Sequence, residues 1–203
     1  MIEVEIKCKP TLEQEIALLQ GATFLGEEHL IDVYYDSAQY ELSVRDHWLR
    51  TRNGKFVLKI PAATCKLLEV QANTPKHEIE DEQEIRKVLK LSEQGSLEQS
   101  LMTAGYHPLY TLAKRRKKYS KNGFIIDIDH STFGSLTFDL CEIETLIEKP
   151  EDVNYAMQKL IEFAEAHGII LEPVLGSLIA LIKSINPEHF EIMEKARAIR
   201  VKN

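Results

Sequence analysis

Ile2-Glu3-Val4-Glu5-Ile6-Lys7 is a run in which apolar and charged side chains alternate strictly. Because successive side chains of a β-strand point to opposite faces, the run predicts a strand with one charged and one apolar face. On the charged face Glu3 and Glu5 would stand roughly 7 Å apart, a spacing at which carboxylates can hold a divalent cation between them. Taken alone, the run is also explained by an edge strand whose charged face is solvated. The interpretation therefore depends on whether the pattern recurs.

The same alternation does recur along the chain. Further candidate strands carry charges on one face at Arg50/Arg52, Lys59, Glu78/Glu80, Arg115/Lys117, Asp127/Asp129 and Glu142/Glu144. If these charges faced water, as in an ordinary sandwich, the apolar helices predicted between the strands would have nothing to cover. We therefore predict an α+β fold in which about eight antiparallel strands close a barrel, with a charged tunnel inside and helices packed outside.

Turn and capping signals give the approximate element bounds. Thr11 and Gln14 form a capping box at the start of a helix predicted to extend to Gln20, and Asn53-Gly54 joins two strands in a hairpin. The strands predicted after the first one span 28–35, 48–52, 56–60, 66–73, 76–80, 109–120, 124–129 and 136–146. The later predicted helices span 81–89, 96–104, 150–167, 178–185 and 187–199. Nothing indicates a linker, so we expect residues 1–203 to form one domain, with the helices of 150–203 on or over the barrel.

Composition argues against several classes of protein. A formal net charge of −7 is unfavourable for a nucleic-acid or anionic-membrane binder. The sequence shows neither the basic and apolar regions of a secretory signal nor a run of ~18 apolar residues. Three widely spaced cysteines without a CxxC pair, Cys8, Cys65 and Cys141, predict no zinc site and no disulfide framework. We expect a cytoplasmic protein that is a monomer and binds neither nucleic acid nor membrane.

A tunnel that holds charges of both signs suits a phosphorylated ligand and a metal ion. Cationic side chains can bind phosphoryl oxygens, while carboxylates can hold Mg²⁺ that bridges to the same oxygens. Many like charges in a confined space cannot all stay ionised without such counter-ions. No Ser-His-Asp or Cys-His arrangement is evident, so the pattern favours phosphoryl chemistry without a covalent nucleophile.

These residues resemble a known family. Glu3-Val4-Glu5-Ile6-Lys7 is similar to the ExExK signature of the CYTH, or triphosphate tunnel metalloenzyme, superfamily, and the order of the later charged strands resembles that family across most of the chain. The signature is weak alone and specific together with the Tyr-Tyr-Asp turn, the WLRTR run, Lys59 and the final ExE. Within the superfamily, residues 46–52 are most similar to the thiamine triphosphatase branch.

The resemblance implies roles for individual residues. Triphosphate oxygens would be bound by Lys7, Arg50, Arg52, Lys59 and Arg115, with Tyr35 near the phosphates, Glu78 on the tunnel wall and Trp48 stacked on the thiamine rings. Divalent metal, Mg²⁺ or else Mn²⁺, would be held by Glu3, Glu5, Asp127, Glu142 and Glu144, with Asp129 as the alternative to Asp127. The reaction is expected to depend on Glu3, Glu5, Lys7 and Arg52.

The activity implied by the resemblance is Mg²⁺-dependent hydrolysis of thiamine triphosphate to thiamine diphosphate and phosphate. The alternatives are an inorganic tripolyphosphatase, a class IV adenylyl cyclase-like enzyme, and a non-catalytic module that binds polyphosphate or nucleotide. Two residues depart from the family pattern. Ser177 stands where a lysine commonly reaches into the tunnel, and Lys183 would point to a different helix face. Lys76 stands where thiamine-specific members tend to carry an aromatic residue.

Overall fold

Residues 1–62 and 74–196 are described by the computed structural model, and within them the chain forms eight β-strands and six α-helices. The strand predicted over 66–73 and the predicted end of the last helix lie outside the described residues. The other predicted elements are present with shifted bounds. The first of the long strands begins earlier than expected, because its exposed half at 23–29 carries no regular alternation.

The eight strands close into one antiparallel barrel, which confirms the predicted α+β barrel fold. In spatial order the strands are β1-β5-β4-β3-β2-β6-β7-β8, and β8 pairs with β1 to close the sheet. Their bounds are β1 Ile2–Cys8, β2 Thr23–Asp36, β3 Trp48–Arg52, β4 Lys55–Pro61, β5 Lys76–Ile79, β6 His107–Lys121, β7 Phe124–Phe133 and β8 Leu136–Ile147.

The register of β1 brings charged residues of three strands together. Opposite β8, Glu5 pairs with Glu144 and Lys7 pairs with Glu142. On the other edge of β1, Glu3 is the partner of Lys76 in β5. Directly opposite residues of an antiparallel pair share a face, so all of these side chains point to the same side of the sheet.

Six α-helices accompany the barrel. They are α1 Leu12–Leu19, α2 Glu82–Leu89, α3 Leu97–Thr103, α4 Val153–Ala166, α5 Ser177–Ile185 and α6 Pro187–Lys195. The predicted capping box is present at α1, where Thr11 and Gln14 satisfy each other's backbone N–H groups, and Asp81 caps α2. No helix within 1–62 or 74–196 combines the length and apolar character needed to cross a bilayer.

The apolar faces of the strands point outward and are covered by helices. Ile2, Val4 and Ile6 of β1 are fully buried, and they pack in one cluster with Met157 and Leu160 of α4. A second outer cluster joins β3 and β4 to the helices α2 and α3 through Leu49, Leu58, Ile85, Leu97 and Leu101. The predicted inversion, with charge inside and apolar residues outside, is therefore present over this part of the barrel.

One end of the barrel interior is apolar, which the prediction of a charged tunnel did not anticipate. Tyr110 and Leu112 lie on the same face of β6 as Lys114, because side chains of a strand alternate. They form a buried cluster with side chains of the α5 and α6 helices, namely Leu178, Leu181, Ile182, Phe190 and Met193. Helix α5 therefore fills this end of the barrel, and its first turn faces the charged part of the interior.

Candidate functional site

The barrel interior holds a cavity of about 380 Å³ lined by charges of both signs. The lining cations within the described residues are Lys7, Arg50, Arg52, Lys59, Lys76, Lys114, Arg116 and Lys118. The lining carboxylates are Glu3, Glu5, Asp46, Glu78, Glu80, Glu142 and Glu144. Most of these side chains are buried or half-buried, so their interactions are weakly screened by water.

Three carboxylates on β1 and β8 form an acidic cluster at the cavity wall. One oxygen each of Glu3, Glu5 and Glu144 lies within 4.8 Å of the others, close enough to ligate one ion. Burial, together with the charges of Glu3, Asp127 and Glu5, raises the pKa of Glu144 to about 8. Burial likewise raises the pKa of Glu5. A hard divalent cation fits this set, because its oxygen ligands are those such ions prefer and its charge would relieve the repulsion.

Two lysines face the acidic cluster. Lys7 forms an ion pair with Glu5 and lies 3.6 Å from Glu142, while Lys59 pairs with Glu3 and lies 3.8 Å from Glu78. Burial opposes the charge on Lys7, yet the nearby carboxylates raise its pKa overall. Both lysines are therefore held as ammonium groups in the cavity.

The β3 arginines are held by a buried aspartate of β2. Arg52 donates through Nε and Nη2 to the two oxygens of Asp32, at 2.8 and 2.9 Å. Arg50 lies 3.4 Å from Asp32 and from Glu78, and its Nη1 contacts the Tyr34 hydroxyl at 3.3 Å. Among the described residues, the buried Nε of Arg50 has no hydrogen-bond partner. Arg50 is therefore held less tightly than Arg52.

A row of cations from β6 forms another part of the cavity wall, separated from β3 by β2. Arg116 donates to Asp129 through Nε at 2.7 Å and Nη2 at 2.6 Å, and Nη2 is also 2.6 Å from Glu142. Lys114 donates to Asp129 at 2.6 Å. Lys118 lies 3.0 Å from Asp127. The aspartates behind this wall fix the three cations in place.

The structure corrects two of the predicted site residues. Arg115 is exposed on the outside of the barrel, and Arg116 occupies the tunnel position expected for it. Tyr35 packs outside against Phe56 with ring centroids 5.5 Å apart, whereas Tyr34 lines the cavity. Both errors are shifts of one residue, which exchange the two faces of a strand.

The other predicted residues divide into two groups. The cavity lining includes Glu3, Glu5, Lys7, Trp48, Arg50, Arg52, Lys59, Glu78, Glu142 and Glu144. Asp127 and Asp129 are buried behind the β6 cations and accept their hydrogen bonds, and Glu142 pairs with Lys7 and Arg116. A metal-binding role for Asp127, Asp129 and Glu142 stays a prediction.

The first turn of α5 enters the cavity at the position that departs from the family pattern. Ser177 is buried and accepts a hydrogen bond from Ser131 at 3.1 Å. The preceding residue, Gly176, lies close to the Lys7 side chain: a Cβ at this position would be 3.4 Å from the lysine Cε. Lys183 lies over the Phe190 ring, 5.1 Å from its centroid, on the outer side of the helix pair. The missing lysine is therefore not replaced by Lys183.

The fold and the charged interior agree with the comparison against protein families. The model of the CYTH domain matches residues 1–172. The chain belongs to the CYTH domain family. The match covers the whole barrel and α4, and it ends before α5.

Solved structures show the same CYTH fold at low sequence identity. The PH1819 protein of Pyrococcus horikoshii is 24% identical, with a TM-score of 0.65 over 90% of this chain and 99% of that one. A Hippeastrum protein, HpAC1, described as a candidate adenylyl cyclase with a dominant triphosphatase activity, is 20% identical, with a TM-score of 0.53 over 90% and 95%. A candidate adenylate cyclase of Bacillus halodurans is 17% identical, with a TM-score of 0.54 over 91% and 97%.

Sequence reasoning missed several residues of this CYTH cavity. They are Asp32, Tyr34, Asp46, Lys114, Arg116 and Lys118. Asp32 offered a usable signal, because it is a lone charge between the apolar residues Ile31 and Val33 of a strand. Asp46 offered none, since an aspartate just before a strand is ordinary in a turn.

Proposed function

We propose that this CYTH protein is a metal-dependent triphosphatase that hydrolyses thiamine triphosphate to thiamine diphosphate and phosphate. One observation carries the proposal: a cluster of three carboxylates and two walls of buried or half-buried cations line the same cavity. Hydrolysis of a phosphoryl group depends mainly on positioning the triphosphate and on neutralising charge over its oxygens. The cavity offers both without a covalent nucleophile.

The basic residues would bind and orient the triphosphate. Arg50 and Arg52 lie on one wall, Arg116 with its lysine neighbours on another, and Lys7 stands near the carboxylates. Guanidinium groups suit this task because their fixed geometry matches two phosphoryl oxygens at once. The contacts of the Arg50 Nη groups are long, at 3.3 and 3.4 Å, so these groups could exchange them for phosphoryl oxygens.

The acidic cluster would hold the metal, for which we propose Mg²⁺, with Mn²⁺ as a substitute. Glu3, Glu5 and Glu144 supply carboxylate oxygens within 4.8 Å of one another. A cation bound there would stabilise charge on the phosphoryl oxygens and lower the pKa of a bound water. Lys7 and Lys59 contact Glu5 and Glu3. In the proposed reaction these ammonium groups would contact phosphoryl oxygens beside the metal.

The organic part of the substrate would lie against Trp48. This half-buried indole lines the cavity, and an aromatic face attracts the cationic thiazolium ring of thiamine. Inorganic tripolyphosphate is the second candidate, favoured by the Lys76 ammonium, which lines the cavity and pairs with Asp46 next to Trp48. The triphosphatase activity described for the Hippeastrum protein is consistent with either substrate, although that likeness carries the fold alone.

A substrate panel tests the proposal. Thiamine triphosphate, tripolyphosphate and ATP would be incubated with and without Mg²⁺ or Mn²⁺, and released phosphate and cyclic AMP would be measured. We expect Mg²⁺-dependent phosphate release with thiamine triphosphate as the best substrate. A Glu3→Gln variant, purified in the same way, controls for contaminating phosphatases and should be inactive.

The panel separates the alternatives. Equal or better hydrolysis of tripolyphosphate would replace thiamine triphosphate as the substrate. Cyclic AMP formed from ATP would indicate cyclase activity. Binding of triphosphates without turnover under either metal would overturn the enzymatic proposal and indicate a binding module.

A further inference from the structure

Asp46 connects the indole of the cavity to a buried lysine. Its Oδ1 accepts a hydrogen bond from Trp48 Nε1 at 2.8 Å, and its Oδ2 forms an ion pair with the Lys76 ammonium. Lys76 also donates to the backbone carbonyl of Asp46 at 3.0 Å. All three side chains line the cavity, so the ion pair lies where a ligand group against Trp48 would be placed.

The backbone holds this arrangement in a fixed position. Asp46 ends a 3-10 helix, Ser43–Arg45, in the left-handed region with φ 59°, which aspartate tolerates better than most residues. Trp48 begins β3 two residues later, and Lys76 begins β5 beside Glu3 of β1. Lys76 therefore lies between the acidic cluster and the indole.

The two charges have opposite effects on a ligand. A carboxylate beside an aromatic face favours a cationic group such as thiazolium, and an ammonium in the same place favours another phosphoryl group. Lys76 is buried, with 8% of the residue's surface exposed, so its charge acts in a weakly screened environment. In the observed pair each charge offsets the other.

We propose that the Asp46–Lys76 pair determines whether the cavity prefers a cationic organic triphosphate or an inorganic polyphosphate at Trp48. This inference rests on the proposed function, from which it takes the class of ligand, a triphosphate. Neither residue contacts a reacting atom in the proposal. Asp46 and Lys76 are specificity-determining residues, and their balance of charge is the property that selects the ligand.

The test uses Trp48 as its probe, because it is the single tryptophan of the chain. Binding of thiamine triphosphate and of tripolyphosphate would be followed by Trp48 fluorescence in EDTA, so that turnover does not interfere. The measured quantity is the ratio of the Kd for tripolyphosphate to the Kd for thiamine triphosphate. Free N-acetyltryptophanamide corrects for absorption by the ligand.

Two substitutions give opposite expected shifts, and two further variants serve as controls. Lys76→Met leaves the Asp46 carboxylate without its partner and should raise the ratio about tenfold. Asp46→Asn keeps an oxygen that accepts the indole N–H but removes the charge, and it should lower the ratio about tenfold. The double variant carries neither charge and should return to within about threefold of wild type, as should Lys76→Arg, which keeps the charge.

The outcomes separate the inference from the proposed function. Single-variant ratios within twofold of wild type, or an equal loss of binding for both ligands, would overturn the inference, because a merely structural role weakens both ligands alike. If the Kd ratio shifts as expected but the protein hydrolyses neither ligand with Mg²⁺ or Mn²⁺, the inference would be supported and the proposed triphosphatase activity overturned. Absence of binding to wild type would overturn both.

Discussion

Arg116 is held by Asp129 through two hydrogen bonds, from Nε at 2.7 Å and from Nη2 at 2.6 Å. The bond pair fixes the plane of the guanidinium, as in other bidentate arginine–carboxylate contacts. Arg116 therefore points into the cavity as a rigid group. Its neighbour Arg115 points away from the cavity and is exposed on the barrel exterior.

The adjacent arginines give a matched pair of variants. Arg116→Lys should lower kcat/KM for the triphosphate about 10- to 100-fold, because lysine keeps the charge but cannot reproduce the two-point geometry. Arg115→Lys should leave kcat/KM within about twofold, since surface changes have small effects. Steady-state kinetics at saturating Mg²⁺ measure both, with thermal melts to show that each variant is folded. A larger loss for Arg115→Lys would contradict the inward position of Arg116.

The acidic cluster predicts metal binding that depends on Glu144. Glu144→Gln should weaken Mg²⁺ binding at least about tenfold, because one of the three clustered carboxylates loses its charge. In EDTA its melting temperature should equal or exceed that of wild type, since burial and like-charged neighbours raise the pKa of Glu144 to about 8 and so oppose its ionisation in the folded protein. Calorimetric titration with Mg²⁺ and melts in EDTA check the two parts.

The control for this variant is Glu148→Gln, just beyond the end of the same strand. Glu148 is exposed and does not belong to the cluster. The Mg²⁺ affinity of the Glu148→Gln variant should therefore match that of wild type. Equal affinity in all three proteins would show that the cluster is not the metal site. A loss of both affinity and melting temperature in Glu144→Gln would point to misfolding.

We expect Arg52 to contribute to catalysis by stabilising the negative charge that develops in the transition state. Arg52→Gln should cost about 2–4 kcal/mol of transition-state stabilisation, a typical value for a group that binds developing charge. Lys55→Gln is the matched control, because Lys55 is the hairpin partner of Arg52 but is exposed. The ratio of kcat/KM values measures the loss. Similar activity in both variants would contradict a role for the Asp32–Arg52 pair in the reaction.

Much of this site follows from local alternation. Glu3 and Glu5, and likewise Glu142 and Glu144, alternate with apolar residues that helices cover from outside, so their inward direction could be predicted strand by strand. The Asn53-Gly54 hairpin fixed the relative positions of the arginines and Lys59 for the same reason. These features depend only on neighbours in sequence.

The error at Arg115 arises where a helix distant in sequence packs inside the barrel. Apolar residues were expected to lie outside, which would place Leu112 outside and make Arg115 point inward. Because α5 fills one end of the barrel, Leu112 instead packs inside against that helix, and the whole strand has the opposite face inward. The direction of the strand is therefore set by contacts with distant residues such as Leu178, 66 positions after Leu112, which local patterns do not contain.

A buried histidine links α6 to the mouth of the barrel. His189 Nε2 lies 2.7 Å from Ser43 Oγ, and its Nδ1 lies 2.8 Å from the Tyr110 hydroxyl. Ser43 Oγ donates to Asp36 at 2.7 Å, so it can accept from Nε2–H, while the tyrosine hydroxyl can donate to Nδ1. The ring also stacks on Tyr40 at 3.7 Å between centroids. The neutral histidine is therefore fully satisfied.

This arrangement predicts a pH-dependent stability. Burial lowers the pKa of His189 to about 4, although the charge of Asp36 opposes the shift. The unfolded chain binds the proton near its ordinary pKa of about 6.5, so the stabilisation is present above that pH and is lost as pH falls toward 4. Between pH 7.5 and 5.5 the free energy of unfolding should fall by about 1.3 kcal/mol from this group alone.

Urea unfolding at the two pH values measures this loss by comparing wild type with His189→Gln. The variant lacks the titrating ring, so its unfolding free energy should fall by about 1.3 kcal/mol less than that of wild type. His29→Gln, at a histidine whose side chain is 81% exposed, should keep the wild-type pH dependence. Identical pH dependence in wild type and His189→Gln would mean that His189 accepts a proton in the folded protein near its ordinary pKa, in conflict with the buried neutral tautomer.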